Sequence, residues 1–595
     1  MVSMTVDTST VRYEFWGWGA NYIFGADGAD GDTVWSDLAQ NWGRLQFMME
    51  QWEGTNDNDD PDVINWAGFS TNPSSNDLAH SMRRQDQFSD AGYGTVLSCW
   101  YAPSWMQPNG DGTVIPRENW DEMFESIVAY LLHMKDTYGY EPDYYSFNEP
   151  WAGAEVAFDS QDHRDFIEQF GQRLESEPDI TKTKLLLGDN ASPAGSLEYT
   201  DPVYNDSSLW QYVGAVAFHS WTPGWCDPNE VDDTLPDCEW EWWKSDVGGW
   251  ATRAAEMDKP LLVTEHGWDS ADYTDDSWTR ALYNMRGYMA LFELTTPQII
   301  LQWSATTVER MTSDDGTTKY PIFYVCHHFA NLTPQNAKVL ATTGSTGENF
   351  WIAAFKKGSD YVVHLANVGS SSETFDVSGL PDGITTLSAV RTSETENAVS
   401  LADVSVTNGS FSLAMDPESL VTLSGTDTTQ NLIYAHTAGL TGVGAVLTVS
   451  VADVGLINPA ADAAAGTWSA EDGATVGLYA SVDEDVADDA DFIRSNAGPS
   501  NSPCVLKLEA IPDPGSDDHH TVRYRYRRTG LTASTLTVEL RQGYSSEASP
   551  GTLIVSWTES TVGEGWATRL RAISPSAAGN ITDYSDLYLR FVADT

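Results

Sequence analysis

The chain has 595 residues, too many for one hydrophobic core, so two to four domains are expected. Its 87 acidic residues against 31 basic ones leave a formal charge of −56. That field repels phosphate backbones and anionic lipid, so no nucleic-acid or membrane partner is expected and a polyanionic substrate is disfavoured.

The first residues, MVSMTVDTSTVRYEF, lack the basic and apolar regions of a signal peptide. An extracellular location is still expected, with the signal already removed or with release by lysis. From about 14 to 334, short apolar runs alternate with longer amphipathic stretches, the mark of βα units around a parallel sheet. The runs are WGWGANY (16–22), RLQFMME (44–50), TVLSCWYAP (95–103), DYYSFNEP (143–150), KLLLGDN (184–190), AVAFHSW (215–221), LLVTEHGW (261–268) and IILQWSA (299–305). Between them, segments such as WDEMFESIVAYLLHMKDTYG and DHRDFIEQFGQRLESE carry apolar residues at helical spacing. Eight such strands predict a closed barrel, and no GxGxxG follows the first to suggest a nucleotide site.

From 335 to 427 the texture becomes alternating β (FWIAAFKK, DYVVHLANV, SFSLAM, LVTLSG), which predicts a β-sandwich to which residues 1–13 are available to add a strand. After a linker, GTDTTQN, residues 430–595 read as a second all-β block, a jelly-roll-like accessory module. The expected fold class is therefore α/β: a (β/α)8 TIM barrel, then a β-sandwich and a further C-terminal all-β domain. Cys99, Cys226, Cys238, Cys326 and Cys504 are too scattered for a disulfide framework, although Cys226 and Cys238 flank one loop and could pair.

Barrel enzymes place their chemistry at the C-terminal ends of the strands. Here strand four ends in Asn148-Glu149-Pro150 and strand seven in Thr264-Glu265-His266. Two carboxylates across one barrel mouth are what cleavage of a glycosidic bond requires, one to protonate the leaving oxygen and one to face the anomeric carbon. Asp269 is the rival to Glu265 at the same strand end.

The NEP at strand four and the lone Glu at strand seven resemble clan A glycoside hydrolases. SFNEPW, VLSCWYAPSWMQ, FHSW and VTEHGW resemble family 30 most, as do NGSFSLAMDPESLVTLSG in the sandwich and YVCHHFANLTPQNAKVL at its junction with the barrel. The resemblance spans about 14 to 427. It implies retention of configuration, with Glu149 as acid/base and Glu265 as nucleophile. It also implies Asn148 on the substrate's 2-hydroxyl, Arg44 keeping the nucleophile ionised, His219 near the nucleophile, and Trp303 as a platform beneath the sugar. The family's glucuronate-binding motif after strand eight has no close counterpart in ATTVERMTSDDGTTKYP, where Arg310 is the only Arg.

Trp18, Asn21, Trp52, Trp100, Tyr101, Trp105, Trp151 and Trp221 lie on or near strand ends and are candidates for sugar subsites. The long aromatic segment 222–250 is expected to wall part of the cleft. No cofactor and no metal site are expected: DGADGD (27–32) and NDNDDPD (56–62) are oxygen-rich but lack an EF-hand pattern, and His519 and His520 read as surface residues.

The expected function is that of a retaining, endo-acting β-glycoside hydrolase on a mostly neutral polysaccharide of xylan, β-1,6-glucan or β-1,6-galactan type. An exo-β-glycosidase is the first alternative. A non-catalytic glycan-binding surface or particle component is the second; for it speaks GLYASVDEDVADDADFIRS (477–495), which resembles segments of phage-associated proteins. In the terminal block Trp468, Trp557 and Trp566 are candidate carbohydrate platforms. The oligomeric state is left open.

Overall fold

The computed structural model describes residues 2–23, 28–107, 114–151, 156–191, 196–221, 239–268, 274–306, 309–428, 446–451, 455–457, 459–471, 473–482, 492–510, 520–527, 535–559 and 567–594. The chain divides into two units, Met1–Thr426 and Asp427–Thr595.

The first unit opens with β1 (Val2–Phe15) and then enters a closed barrel of eight parallel strands. These are β2 (Gly17–Tyr22), β3 (Trp42–Phe47), β4 (Gly94–Cys99), β5 (Tyr144–Phe147), β6 (Lys184–Asn190), β7 (Val213–His219), β8 (Leu261–His266) and β9 (Pro297–Gln302). They fall on the eight apolar runs. Each strand is covered on both faces, so almost every residue is buried and the sequence reads as a run rather than an alternation.

Inside the barrel, Val96, Leu186, Ala215, Ala217, Leu262, Ile299 and Leu301 form a small core, against which Trp16 and Trp42 pack. A much larger core lies between the strands and the helices α1 (Ala29–Asp37), α2 (Met49–Trp52), α3 (Asp77–Ala91), α4 (Trp120–Tyr138), α5 (Ser160–Ser176), α6 (Asp201–Tyr204), α7 (Glu239–Glu256), α8 (Trp278–Leu294) and α9 (Pro321–Ala330). α4 shows why these segments are helical. Trp120, Met123, Phe124, Ile127, Leu131 and Met134 recur on one face and are buried, and Gly139 ends the helix in the left-handed conformation that glycine adopts without penalty. α5 starts at Asp159, whose carboxylate accepts from the backbone N–H groups of Gln161 and Asp162.

After the barrel come β10 (Ala337–Thr343), β11 (Phe350–Lys357), β12 (Asp360–Asn367), β13 (Glu373–Ser378), β14 (Thr386–Ser393), β15 (Glu396–Ser400), β16 (Val404–Ser405), β17 (Phe411–Met415) and β18 (Ser419–Thr426). With β1 they form one hydrogen-bonded sheet, β15-β14-β18-β12-β11-β10-β1-β13-β17, with β16 beside β14. The sheet curls over its own core of Met4, Val6, Ile352, Leu365, Phe375, Val377 and Leu423, among others. β1 is interior to it, antiparallel to β10 and parallel to β13.

In the second unit, Pro459–Ala464, Ser502–Leu508, Leu587–Asp594, Thr535–Gln542 and Thr552–Glu559 form a five-stranded antiparallel sheet in that order. Gly455–Ile457, Val446–Val451, His520–Tyr526 and Ala567–Ala572 form a four-stranded one. Two expectations fail here. Trp468 is fully buried, its indole N–H on the Ser502 carbonyl, so it is core and not a sugar platform. His520 is buried with Nε2 2.6 Å from the Tyr584 hydroxyl, not at the surface. Trp557 is half-buried against this core. Trp566 and His519 lie outside the described residues.

Cys99, Cys326 and Cys504 are buried thiols, while Cys226 and Cys238 fall outside the described residues. Among the described residues no helix is long and apolar enough to cross a membrane.

Candidate active site

Charged side chains cluster where the parallel strands end. β3 supplies Arg44, β4 Ser98, β5 Ser146 and then Asn148 and Glu149, β6 Asp189, β7 His219, and β8 Thr264 and Glu265. Backbone bonds carry the barrel pairing past the strand ends: Asn148 N–H donates to Cys99 (2.9 Å), Glu149 N–H to Asp189 (3.0 Å) and Trp303 N–H to His266 (2.8 Å). Glu149 and Asp189 hold positive φ angles of 45° and 64°, sparsely populated for non-glycine residues and maintained only where the surroundings enforce them.

Arg44 is the hub. It is fully buried, its Nη1 lies 2.6 Å from Glu265 Oε1 and 3.2 Å from Asn21 Oδ1, and its Nη2 donates to Asn148 Oδ1 (2.9 Å), Asp189 Oδ2 (2.9 Å) and Ser98 Oγ (3.0 Å). The planar guanidinium fork suits such multiple contacts, and its face lies 4.5 Å from the Trp100 ring centroid.

His219 is the second hub, with Nδ1 3.1 Å from both Glu149 Oε1 and Glu265 Oε2 and Nε2 facing Asp189 Oδ1 at 3.4 Å. Burial alone would strip its proton, but Glu265 first, with Asp189 and Glu149, holds the imidazole well above its ordinary value. Asp189, also fully buried, is driven far below the usual carboxylate range: burial opposes its charge, and Arg44 and His219 outweigh burial. Burial also works to raise Glu149, yet the His219 hydrogen bond and the His219 and Arg44 charges leave it lowered.

One carboxylate oxygen of Glu149, one of Glu265 and a His219 ring nitrogen all lie within 4.8 Å of one another. Glu149 keeps 19% of its side chain exposed and Glu265 2%, so solvent reaches the pair mainly through Glu149.

Residues 56–333 match the profile of the glycosyl hydrolase family 30 TIM-barrel domain. The chain carries a family 30-like glycoside hydrolase domain. Solved structures similar to this glycoside hydrolase include a GH30 endoxylanase from Clostridium papyrosolvens C71, with 18% identity, 71% of this chain and 100% of that one covered, and a TM-score of 0.56. The GH30 subfamily 8 xylanase Xyn30A from Clostridium acetobutylicum has 15% identity, coverage of 71% and 99%, and a TM-score of 0.56. The endo-β1,6-glucanase BT3312 has 14% identity, coverage of 72% and 93%, and a TM-score of 0.52. No curated protein matches the chain by sequence.

Within the family 30-like domain, several residues expected at sugar subsites sit elsewhere. Trp18 is 1% exposed and packs in the layer between barrel and helices, its indole N–H 2.8 Å from the Tyr288 hydroxyl. Trp52 is fully buried against Phe69 and Tyr130. Asn21 and Arg44 are fully buried and reach the cleft only through other residues: Asn21 ties Arg44 to the Thr264 and Gln302 carbonyls. Trp100 is buried beneath Trp303, Trp221 and Ile23. Trp105 is half-buried with its N–H on the Glu53 carbonyl (2.9 Å).

Trp303 is 9% exposed and meets half-buried Trp221 edge-on at 6.0 Å. Gly267 permits this, since a Cβ there would lie 2.5 Å from the Trp221 ring. Tyr101 and Trp151 are open, at 42% and 48% exposure. His266 is buried between Ser220 and the Asn284 carbonyl, and burial pulls it down to about 4, so it is a neutral structural residue. Arg310 is paired with Asp30 and Asp314. Asp269 and the part of the aromatic segment from 222 to 238 lie outside the described residues.

Asp189 was not anticipated. Its signal was present, a carboxylate closing the apolar run KLLLGDN, but Gly-Asp-Asn also reads as turn punctuation.

Proposed function

We propose that this glycoside hydrolase retains anomeric configuration, with Glu265 as nucleophile and Glu149 as acid/base, and that it attacks within a mostly neutral β-linked polysaccharide. The observation that carries this is the approach of one oxygen of each carboxylate to within 4.8 Å, short of the ~6.5–9.5 Å separation that leaves room for an attacking water.

Arg44 takes one oxygen of Glu265, and Oε2, 3.1 Å from His219 Nδ1, is the oxygen that attacks the anomeric carbon. Three carboxylates (Glu149, Asp189, Glu265) face two cations (Arg44, His219), so the cluster is neutral when Glu149 carries its proton. A sugar that displaces the Glu149–His219 contact and dries the carboxyl favours that acid form. Proton transfer from Glu149 to the leaving oxygen then accompanies attack by Glu265. Once Glu265 is an ester, His219 has lost its largest attraction, and the ionised Glu149 accepts a proton from water for the second displacement. Asn148, fixed by Arg44, serves the 2-hydroxyl, and Trp303 with Trp221 forms the floor of the cleavage subsite.

Exposed Tyr101 and Trp151 beyond the carboxylates favour several subsites and hence endo attack. Pairing of Arg310 with Asp30 and Asp314 argues against capture of an acidic branch there. Xylan, β-1,6-glucan and β-1,6-galactan are the substrate classes. The test is incubation with a panel of β-glucans, xylans, galactans and mannans, following reducing ends and product size. Early medium-length oligosaccharides from one neutral polymer are expected; only monosaccharide from chain ends would replace endo with exo attack, and no release from any polymer would overturn the reading.

A further inference from the structure

A second carboxylate cluster lies apart from the residues of the barrel mouth. The oxygen-rich run 56–62 follows α2, and its Asp57 turns inward to meet Glu122 and Glu125, three residues apart on one face of α4. One oxygen from each of the three lies within 4.8 Å of the others. Oxygens no farther apart than that can share one Ca²⁺, whose oxygen ligands lie about 2.4 Å from the ion.

Each of these carboxylates has a buried oxygen without a hydrogen-bond partner: Asp57 Oδ1, Glu122 Oε2 and Glu125 Oε1. The other oxygen of Asp57 is already held, by the Asn65 backbone N–H at 2.6 Å and the Asn58 side-chain amide at 2.9 Å, so Oδ1 is oriented and left over. Independently, Glu53 is only 1% exposed, and its Oε1 takes the Asp57 N–H at 3.2 Å while its Oε2 has no partner. Among the described residues no Lys or Arg pairs with any of the four.

Buried carboxylates cannot all ionise side by side without a counter-charge. Either protons or a cation must therefore neutralise the group. We propose that Asp57, Glu122 and Glu125 bind one hard divalent cation of calcium type, with buried Glu53 beside them and water completing the shell. All-oxygen ligation with several carboxylates suits Ca²⁺, whereas Mg²⁺ usually keeps several waters and is bound through one or two carboxylates. The ion would clamp the segment after β3 onto the start of α4, and through the Glu53 carbonyl would steady Trp105.

The test uses the full chain, stripped with chelator and kept in 1 M KCl at pH 8, where the Debye length of about 3 Å suppresses diffuse binding to the acidic surface. Calorimetric titration with CaCl2 is expected to give one site per chain, and 1 mM CaCl2 to raise Tm by about 3 °C or more, with a smaller rise for MgCl2. Glu122→Gln and Asp57→Asn should each weaken binding at least about tenfold and remove most of the Tm rise. Should a variant fail to fold, tryptophan-sensitised Tb³⁺ luminescence of the wild type, displaced by Ca²⁺ at one equivalent, decides the same question. No stoichiometric binding in 1 M KCl, or binding unaltered in both variants, would overturn the proposal and leave shared protons as the neutralising device.

Discussion

Glu265→Gln isolates the chemical step from the scaffold. Glu265 lies 2.6 Å from Arg44 and 3.1 Å from His219, and at an effective dielectric near 20 those contacts attract by about 6 and 5 kcal/mol. The substitution does not forfeit that sum. Arg44 keeps Asp189 at 2.9 Å and gains the amide oxygen of the introduced glutamine in place of the carboxylate oxygen, and His219, without its largest attraction, gives up its proton. Two charges of opposite sign leave together, so the cluster charge stays the same and no buried cation is stranded. The expected stability loss is that of one or two weakened hydrogen bonds, about 1–3 kcal/mol, or a few degrees in Tm. Turnover, in contrast, loses its covalent partner, and kcat should fall about 10,000-fold or more. The assay pairs reducing-end release and an activated aryl β-glycoside with a thermal melt. In Glu265→Gly, azide should restore aryl-glycoside cleavage and yield the α-azide, because the anion occupies the nucleophile's place. Activity within about tenfold of wild type in a folded Glu265→Gln protein would refute the assignment.

Three further outcomes are expected. Glu149→Ala should nearly abolish polysaccharide cleavage but spare the first step on aryl glycosides with good leaving groups, and azide should then give the β-azide; equal losses on both substrates would count against an acid/base role. His219→Asn removes the two largest interactions that lower Glu149, keeping only that of Arg44, and leaves the burial that raises it, so the alkaline limb of kcat/KM should move to higher pH, and an unmoved limb would contradict the coupling. Because the His219 value is raised on folding, its contribution to stability is complete below about 6.5 and fades as pH rises through the folded value, so the Tm gap between wild type and His219→Asn should narrow at alkaline pH. Trp151→Ala and Tyr101→Ala, at exposed positions, should raise KM for polymer several-fold and leave short aryl glycosides unaffected; equal effects on both would place these rings outside any extended subsite.

The barrel was legible because each strand, covered on both faces, announces itself as an apolar run, and a charged residue closing such a run has no reason to be there unless the mouth uses it. Arg44 opens its run, whereas His219 and Glu265 stand out on that ground. Asp189 has the same signature but is followed by residues that mimic a turn. Trp18 falls outside the site because of strand parity: Asn21 points into the barrel, so a residue three positions earlier on the same strand points out, to the helices. Trp52 shows the opposite limit, since nothing local to it reveals that Phe69 and Tyr130 close over its ring. The Asp57–Glu122–Glu125 cluster joins segments far apart along the chain, and no spacing rule connects them.

The place of β1 has a consequence for biosynthesis. Its register couples Val2 to Phe375 and Val6 to Thr342, so a strand made before the barrel finds its hydrogen-bonding partners only after the barrel has been made. Until then an apolar-edged strand has unsatisfied amides, the condition in which nascent chains pair wrongly, and closure over so long an interval slows native docking. A stop codon after α9 would remove β10 and β13, the two strands that β1 pairs with, and leave β1 unpaired. Barrel and sheet are therefore expected to be inherited together, as one block rather than two exchangeable parts.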